Sequence, residues 1–144
     1  NLLLEIQQSS DITYRVYDYN RTDLNGKKRE LHTELAIESI DYQVYDEYCQ
    51  HVEPAIDQEV EINRCEYFVA TLAKIVSSYR IDVAQKDSFR IVVVTKGQGE
   101  LADSNGNKMQ LSQGDVILIP ASTQWADLSS KNDSDFEVVT TYVP

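Results

Sequence analysis

From Glu59 onward the sequence sets nine short, apolar-rich runs between clusters of turn-forming residues, and that spacing restricts the fold more than any other feature. The runs cover 59–63, 66–75, 78–83, 88–95, 98–102, 107–111, 115–119, 124–128 and 135–143. Asp103-Ser104-Asn105-Gly106, Ser112-Gln113-Gly114-Asp115 and Lys131-Asn132-Asp133-Ser134 supply turn chemistry between them. No connection holds a long helix, so the strands pair antiparallel in a sandwich or barrel, and their number suits a jelly roll.

Within this half, VVVTKGQGELADSNGNKMQLSQGDVILIPASTQWADL resembles the strand pattern of cupins. Gly97 and Gly99 break one strand, and Gly114-Asp115 leads into VILIP with five residues between Gly114 and Pro120. Pro120 has no N–H to donate and fits an exposed strand end. Metal-binding cupins place histidines and a glutamate in these motifs, whereas Thr95, Gln98, Gln124 and Trp125 stand in the corresponding region here. The resemblance therefore implies a cupin barrel without a metal.

The first part of the chain is different. LLLEIQQSSDITYRVYDYNR alternates apolar and polar residues over 2–8 and 12–19 about a turn-like SSD, the pattern of a β-hairpin. Asn25-Gly26 is a turn signal, and Leu31, Leu35 and Ile37 or Ile40 approximate helical spacing, which predicts a short helix from Thr33 to Ser39 beginning near His32. The segment that follows, with Pro54, looks like a surface linker. The expected fold is mainly β: a cupin-like, jelly-roll antiparallel β-sandwich preceded by a hairpin and one helix. The expected division is 1–28, 29–58 (helix and linker) and 59–144.

EIQQSSDITYRVYDYNR resembles a segment of the catalytic half of type I mannose-6-phosphate isomerases, zinc-dependent cupin enzymes. The resemblance implies that residues 1–28 are the last strands of a catalytic cupin and 59–144 a second, non-catalytic one. It gives Arg15 a catalytic role beside a sugar-phosphate pocket, where a permanently charged, planar guanidinium suits an enediol-like oxygen or a phosphate. The residues alone also allow Arg15 to pair with Glu5 or Asp18 across a sheet.

Glu5, Gln7 and Asp11 are candidate substrate contacts, since alternation turns Glu5 and Gln7 to one side; a solvated hairpin face explains them equally. Arg21 and the Lys27-Lys28-Arg29 cluster could attract phosphate, although a solvated basic turn is the plainer explanation. The family's zinc ligands lie in motifs upstream of this segment, so none is carried over to this chain and no natively bound zinc is expected. Cys49 and His51, two residues apart, do not match structural zinc spacings.

The net charge of −11 disfavours nucleic-acid binding, which needs cations to neutralise phosphates. No apolar run approaches a membrane span. Two cysteines are too few for a disulfide scaffold and fit a reducing cytoplasm. The chain starts at Asn1 on strand-like sequence, as expected of a piece of a longer polypeptide that is inactive alone. The lost sheet partners of its hairpin would leave strand edges open to pairing in a homodimer. A competing expectation is a complete, non-enzymatic cupin-like module that binds sugar near Trp125 and Arg90.

Overall fold

Alternating side chains in the second half build β1 (Val60–Arg64), β2 (Val69–Ile75), β3 (Ser78–Asp82), β4 (Arg90–Lys96), β5 (Gln98–Asp103), β6 (Lys108–Ser112), β7 (Val116–Ile119), β8 (Trp125–Ser130) and β9 (Phe136–Tyr142). The computed structural model describes residues 3–9, 12–131 and 135–144. Every expected run is a strand, displaced by a few residues at most. The expected Lys131–Ser134 turn, like Leu2 and the turn residues Ser10 and Asp11, reaches outside the described residues.

Two antiparallel sheets result, one in the order β1-β2-β9-β4-β7 and the other β3-β8-β5-β6. Successive strands from β2 to β5 alternate between the sheets, and β6 to β9 do so again. Each strand thus presents one face to the space between the layers, the jelly-roll solution for burying short amphipathic strands. Ile75, Val92, Val94, Phe136 and Val138 from the first sheet meet Ile81, Leu101, Leu111 and Leu128 from the second, all buried. Full burial of such side chains contributes about 1.5–3 kcal/mol each.

Gly97 separates β4 from β5 at φ +77°, where a Cβ would lie 2.1 Å from the Asp135 carbonyl oxygen. Gly99 lies inside β5, and a Cβ there would stand 2.3 Å from the Phe136 ring. The two glycines therefore bring β5 against β9 rather than simply ending a strand. Asp103 accepts the Asn105 and Asn107 backbone N–H groups, both at 2.9 Å, and shapes the β5–β6 turn. Asp115 accepts the Ser112 N–H at 2.8 Å in the β6–β7 turn, and Pro120 follows edge strand β7 as expected.

Contacts divide the chain into units of residues 1–48 and 49–144. In the first, helix α1 (Thr33–Ser39) has the predicted bounds. The Asn25-Gly26 turn also forms: Gly26 takes φ +77°, Asp23 Oδ1 accepts the Asn25 and Lys27 N–H groups, and Thr22 bridges Lys28. The hairpin over 2–8 and 12–19 does not, because the described residues 3–9 and 12–18 form no ladder. Much of their apolar surface stays in solvent: Leu3 is 88% and Ile12 71% exposed, and two strands alone are marginal in water. The edge pairing expected of that hairpin has no strand to follow. The sheet edges among the described residues are β1, β7, β3 and β6.

Candidate functional site: a basic cleft around Arg15

Arg15 precedes the Asn25-Gly26 turn and His32 follows it, so closure of the turn brings the two together. The Arg15 N–H donates to His32 Nδ1 at 3.1 Å, the His32 N–H donates to the Arg15 carbonyl at 2.7 Å, and Arg15 Nη1 donates to the Glu30 carbonyl at 3.1 Å. That last bond is the only one from the Arg15 side chain among the described residues. The pairing with Glu5 or Asp18 that residues alone allowed is not made.

Asp18 has other partners. Its carboxylate, 6% exposed, accepts Arg29 Nε at 2.7 Å and Arg21 Nε at 3.0 Å, with a second bond from the Nη2 of each guanidinium. Arg29 foremost, and then Arg21, holds the Asp18 carboxyl well below the usual carboxylate range despite the opposing cost of burial. Arg29 is raised in turn by the same hydrogen bond. The clamp ties the residues before the turn to those after it. It also gives Arg21 a structural partner in place of the phosphate that sequence alone left open.

The surface enclosed by this frame is an open cleft of about 630 Å³. Arg15, Lys27, Lys28, Arg29 and His32 line it, with Asp23 and Glu30 as the carboxylates on its wall among the described residues. Lys28 Nζ donates to Asn20 Oδ1 at 2.9 Å. Four cations against two carboxylates leave the cleft locally positive on a chain of net charge −11, a field that attracts anions. Sequence reasoning named Arg15, Arg21 and the Lys27-Lys28-Arg29 cluster but missed the Asp18 clamp and the part played by His32. The turn signal at Asn25-Gly26 was the available clue, because it folds 15–21 back on 27–32.

Glu5 and Gln7 are exposed, and nothing among the described residues brings them to this cleft. Asp11 lies outside the described residues. No group of three or more His, Cys, Asp or Glu side chains among the described residues could hold a metal ion. Cys49 and Cys65 are free and exposed.

In the second unit, Arg90 and Trp125 do not form the single sugar site considered above. Trp125 alternates with inward-facing Ala126 and Leu128, so it lies on the outer face of β8, with the Arg80 guanidinium 4.1 Å from its ring centroid. Arg90 is 3% exposed between the sheets. Its Nη1 donates to Thr140 Oγ1 at 3.1 Å and Glu59 Oε1 at 3.4 Å, and its guanidinium lies 3.9 Å from the Tyr142 ring centroid. Burial first, and then the Glu59 carboxylate, push the nearby Tyr79 hydroxyl up to about 12.

The model of the mannose-6-phosphate isomerase cupin domain matches residues 58–134. Mannose-6-phosphate isomerase ManA of Bacillus subtilis is 35% identical over 121 residues, which cover 83% of this chain and 38% of that protein. Mannose-6-phosphate isomerase of Streptococcus mutans is 29% identical over 147 residues, covering 98% of this chain and 43% of the relative. The crystal structure of mannose 6-phosphate isomerase from Bacillus subtilis matches with a TM-score of 0.58 at 25% identity, over 92% of this chain and 40% of that one. The chain thus spans about two fifths of the length of these relatives.

Proposed function

The chain belongs to the mannose-6-phosphate isomerase family through its cupin domain, and we propose that it serves as the C-terminal part of an enzyme interconverting mannose 6-phosphate and fructose 6-phosphate. The observation that carries this reading is the positive cleft built around Arg15 in so acidic a chain. The reaction moves a proton between C1 and C2 of the open-chain sugar through an enediolate-like species. Arg15 contributes a fixed positive charge toward the oxygen on which negative charge develops, and such preorganised donors stabilise a transition state without reorganising. The lysines of the cleft favour an anionic substrate. In this reading residues 1–28 belong to the catalytic cupin, 29–58 connect, and 59–144 form the non-catalytic cupin; Glu5, Gln7 and Asp11 remain candidate substrate contacts.

The zinc implied by the family resemblance does not fit the described residues. His32 Nδ1 is already engaged by the Arg15 N–H, and no donor cluster exists among the described residues. We assign the metal to side chains outside these 144 residues. The enzyme works in the cytoplasm, a compartment that suits its two free, exposed cysteines. Self-association in this role runs through exposed strand edges, and a clean monomer by light scattering removes it.

The test is a coupled isomerase assay. In the complete enzyme, Arg15→Ala is expected to lower kcat by roughly 10²–10³-fold, in the range for loss of a charge-stabilising donor. Unchanged kcat overturns the role of Arg15. The 144-residue chain alone is expected to show no turnover, and zinc-dependent turnover by it would overturn the assignment of the metal elsewhere.

A further inference from the structure

We propose that His32 is a positioning residue for Arg15 and that it acts only as the neutral imidazole. The inference depends on the isomerase reading for its catalytic consequence, but not for its structural content. At the N-cap of α1 a polar side chain ordinarily bonds a backbone N–H of the helix's first turn, yet His32 makes no such bond. Its Nδ1 instead accepts the Arg15 backbone N–H across the turn, at 3.1 Å. A nitrogen that accepts carries no proton, so the ring holds its proton on Nε2.

The contacts around this bond form one unit. His32 returns its own N–H to the Arg15 carbonyl at 2.7 Å, and Arg15 Nη1 reaches the Glu30 carbonyl two residues before His32. Backbone and guanidinium of Arg15 are thereby referenced to the same short segment. The Tyr14 ring meets the imidazole edge-on, with centroids 6.5 Å apart. His32 is half-buried, as is Arg15.

Protonation at Nδ1 would set N–H against N–H, and the bond to Arg15 would be lost. The charged groups sharing the cleft wall with His32 are the cations Arg15, Lys27, Lys28 and Arg29 and the carboxylates Asp23 and Glu30; Glu34 lies in the first turn of α1. A second positive charge would thus appear beside Arg15 as its backbone anchor is released. The consequence is a loss of Arg15 placement whenever His32 is protonated.

Nuclear magnetic resonance of the chain tests this directly. On acidification the Arg15 amide and Nε–H resonances should move together with the His32 ring signals. His32→Ala should abolish that dependence and shift both resonances. His32→Gln, whose amide oxygen accepts without titrating, should retain the Arg15 amide position and lose the pH response. Arg15 resonances indifferent to acidification and to His32→Ala overturn the proposal.

In the complete enzyme, His32→Ala should lower kcat roughly 10- to 100-fold, the cost of misplacing a catalytic group, with less change in KM. His32→Gln should restore kcat and flatten the acid limb. If the wild-type enzyme turns over no mannose 6-phosphate, the isomerase reading falls while the resonance result still decides the role of His32. If it does turn over and His32→Ala leaves kcat intact, the positioning role falls alone.

Discussion

The two units are ordered by different forces. Among the described residues, the first buries one apolar side chain, Ala36, and one carboxylate, Asp18, whereas the second closes a continuous apolar core between two sheets. Order in the first comes from a turn, a paired Arg15 and His32, and two guanidinium groups on one carboxylate. Such contacts are directional, weak where exposed, and screened by salt. Order in the second comes chiefly from apolar burial and is specified by shape. The difference suits the proposed role, because a cleft for an anion must keep charges near its surface, and a supporting barrel need not.

The largest effect expected in testing this contrast is in the barrel. Phe136→Ala should destabilise the second unit by about 3–5 kcal/mol in urea unfolding, since it removes a fully buried ring that also fills the space left by Gly99. A loss below about 1 kcal/mol would show that the core is not what holds this unit. Next comes Asp18→Asn, which takes the charge from between Arg21 and Arg29 and should sharply raise amide exchange over residues 15–32. Unchanged exchange there would break the account of the first unit.

A smaller effect belongs to Tyr79, raised to about 12. The folded state holds this proton more firmly than the unfolded chain. Its contribution is therefore complete below pH ~10 and lost as pH rises toward 12, at most about 2 kcal/mol, and Tyr79→Phe should flatten that alkaline decline. The smallest effect is at Asp135, which Lys74 first and then Lys96 lower to about 2. Its contribution is present above the ordinary carboxylate range and lost as pH falls through about 2. Half-exposed as it is, it should fade in 0.5 M salt, and a salt-insensitive acid transition abolished by Asp135→Asn would blur the distinction between the units.

The barrel was legible because its signals are local and mutually consistent. Alternation of period two, Asp-Ser-Asn-Gly and Gln-Gly-Asp turns and Pro120 all describe the same strands. The helix over Thr33–Ser39 was legible for the same reason. Residues 2–8 and 12–19 show alternation just as clear, but alternation predicts a strand only where one face finds a surface to cover. Of the candidate site, Arg15 was named through a family resemblance and the basic cluster through composition. The Asp18 clamp was not legible, since which of several arginines meets a given carboxylate depends on how the turn folds the segments together. Nor was the His32 bond, because an imidazole ahead of a helix is far more simply read as its start. Gly99 was taken for a strand breaker, and only the Phe136 ring beside it explains why a strand keeps a glycine there.

The position of β9 in its sheet sets a timetable. It is the last of the nine described strands, yet it lies in the middle of the five-stranded sheet and is hydrogen-bonded to β2 on one side and β4 on the other. Its residue Tyr142 pairs with Val69, more than seventy residues earlier in the chain. During synthesis β2 and β4 must therefore wait as unpaired edges, with Val92, Val94 and Ile75 unsealed, until β9 has left the ribosome. Contacts this distant in sequence make folding slow, and the waiting edges are where nascent chains aggregate. The barrel closes in a single late step, and a message truncated before Phe136 would yield no partial version of it.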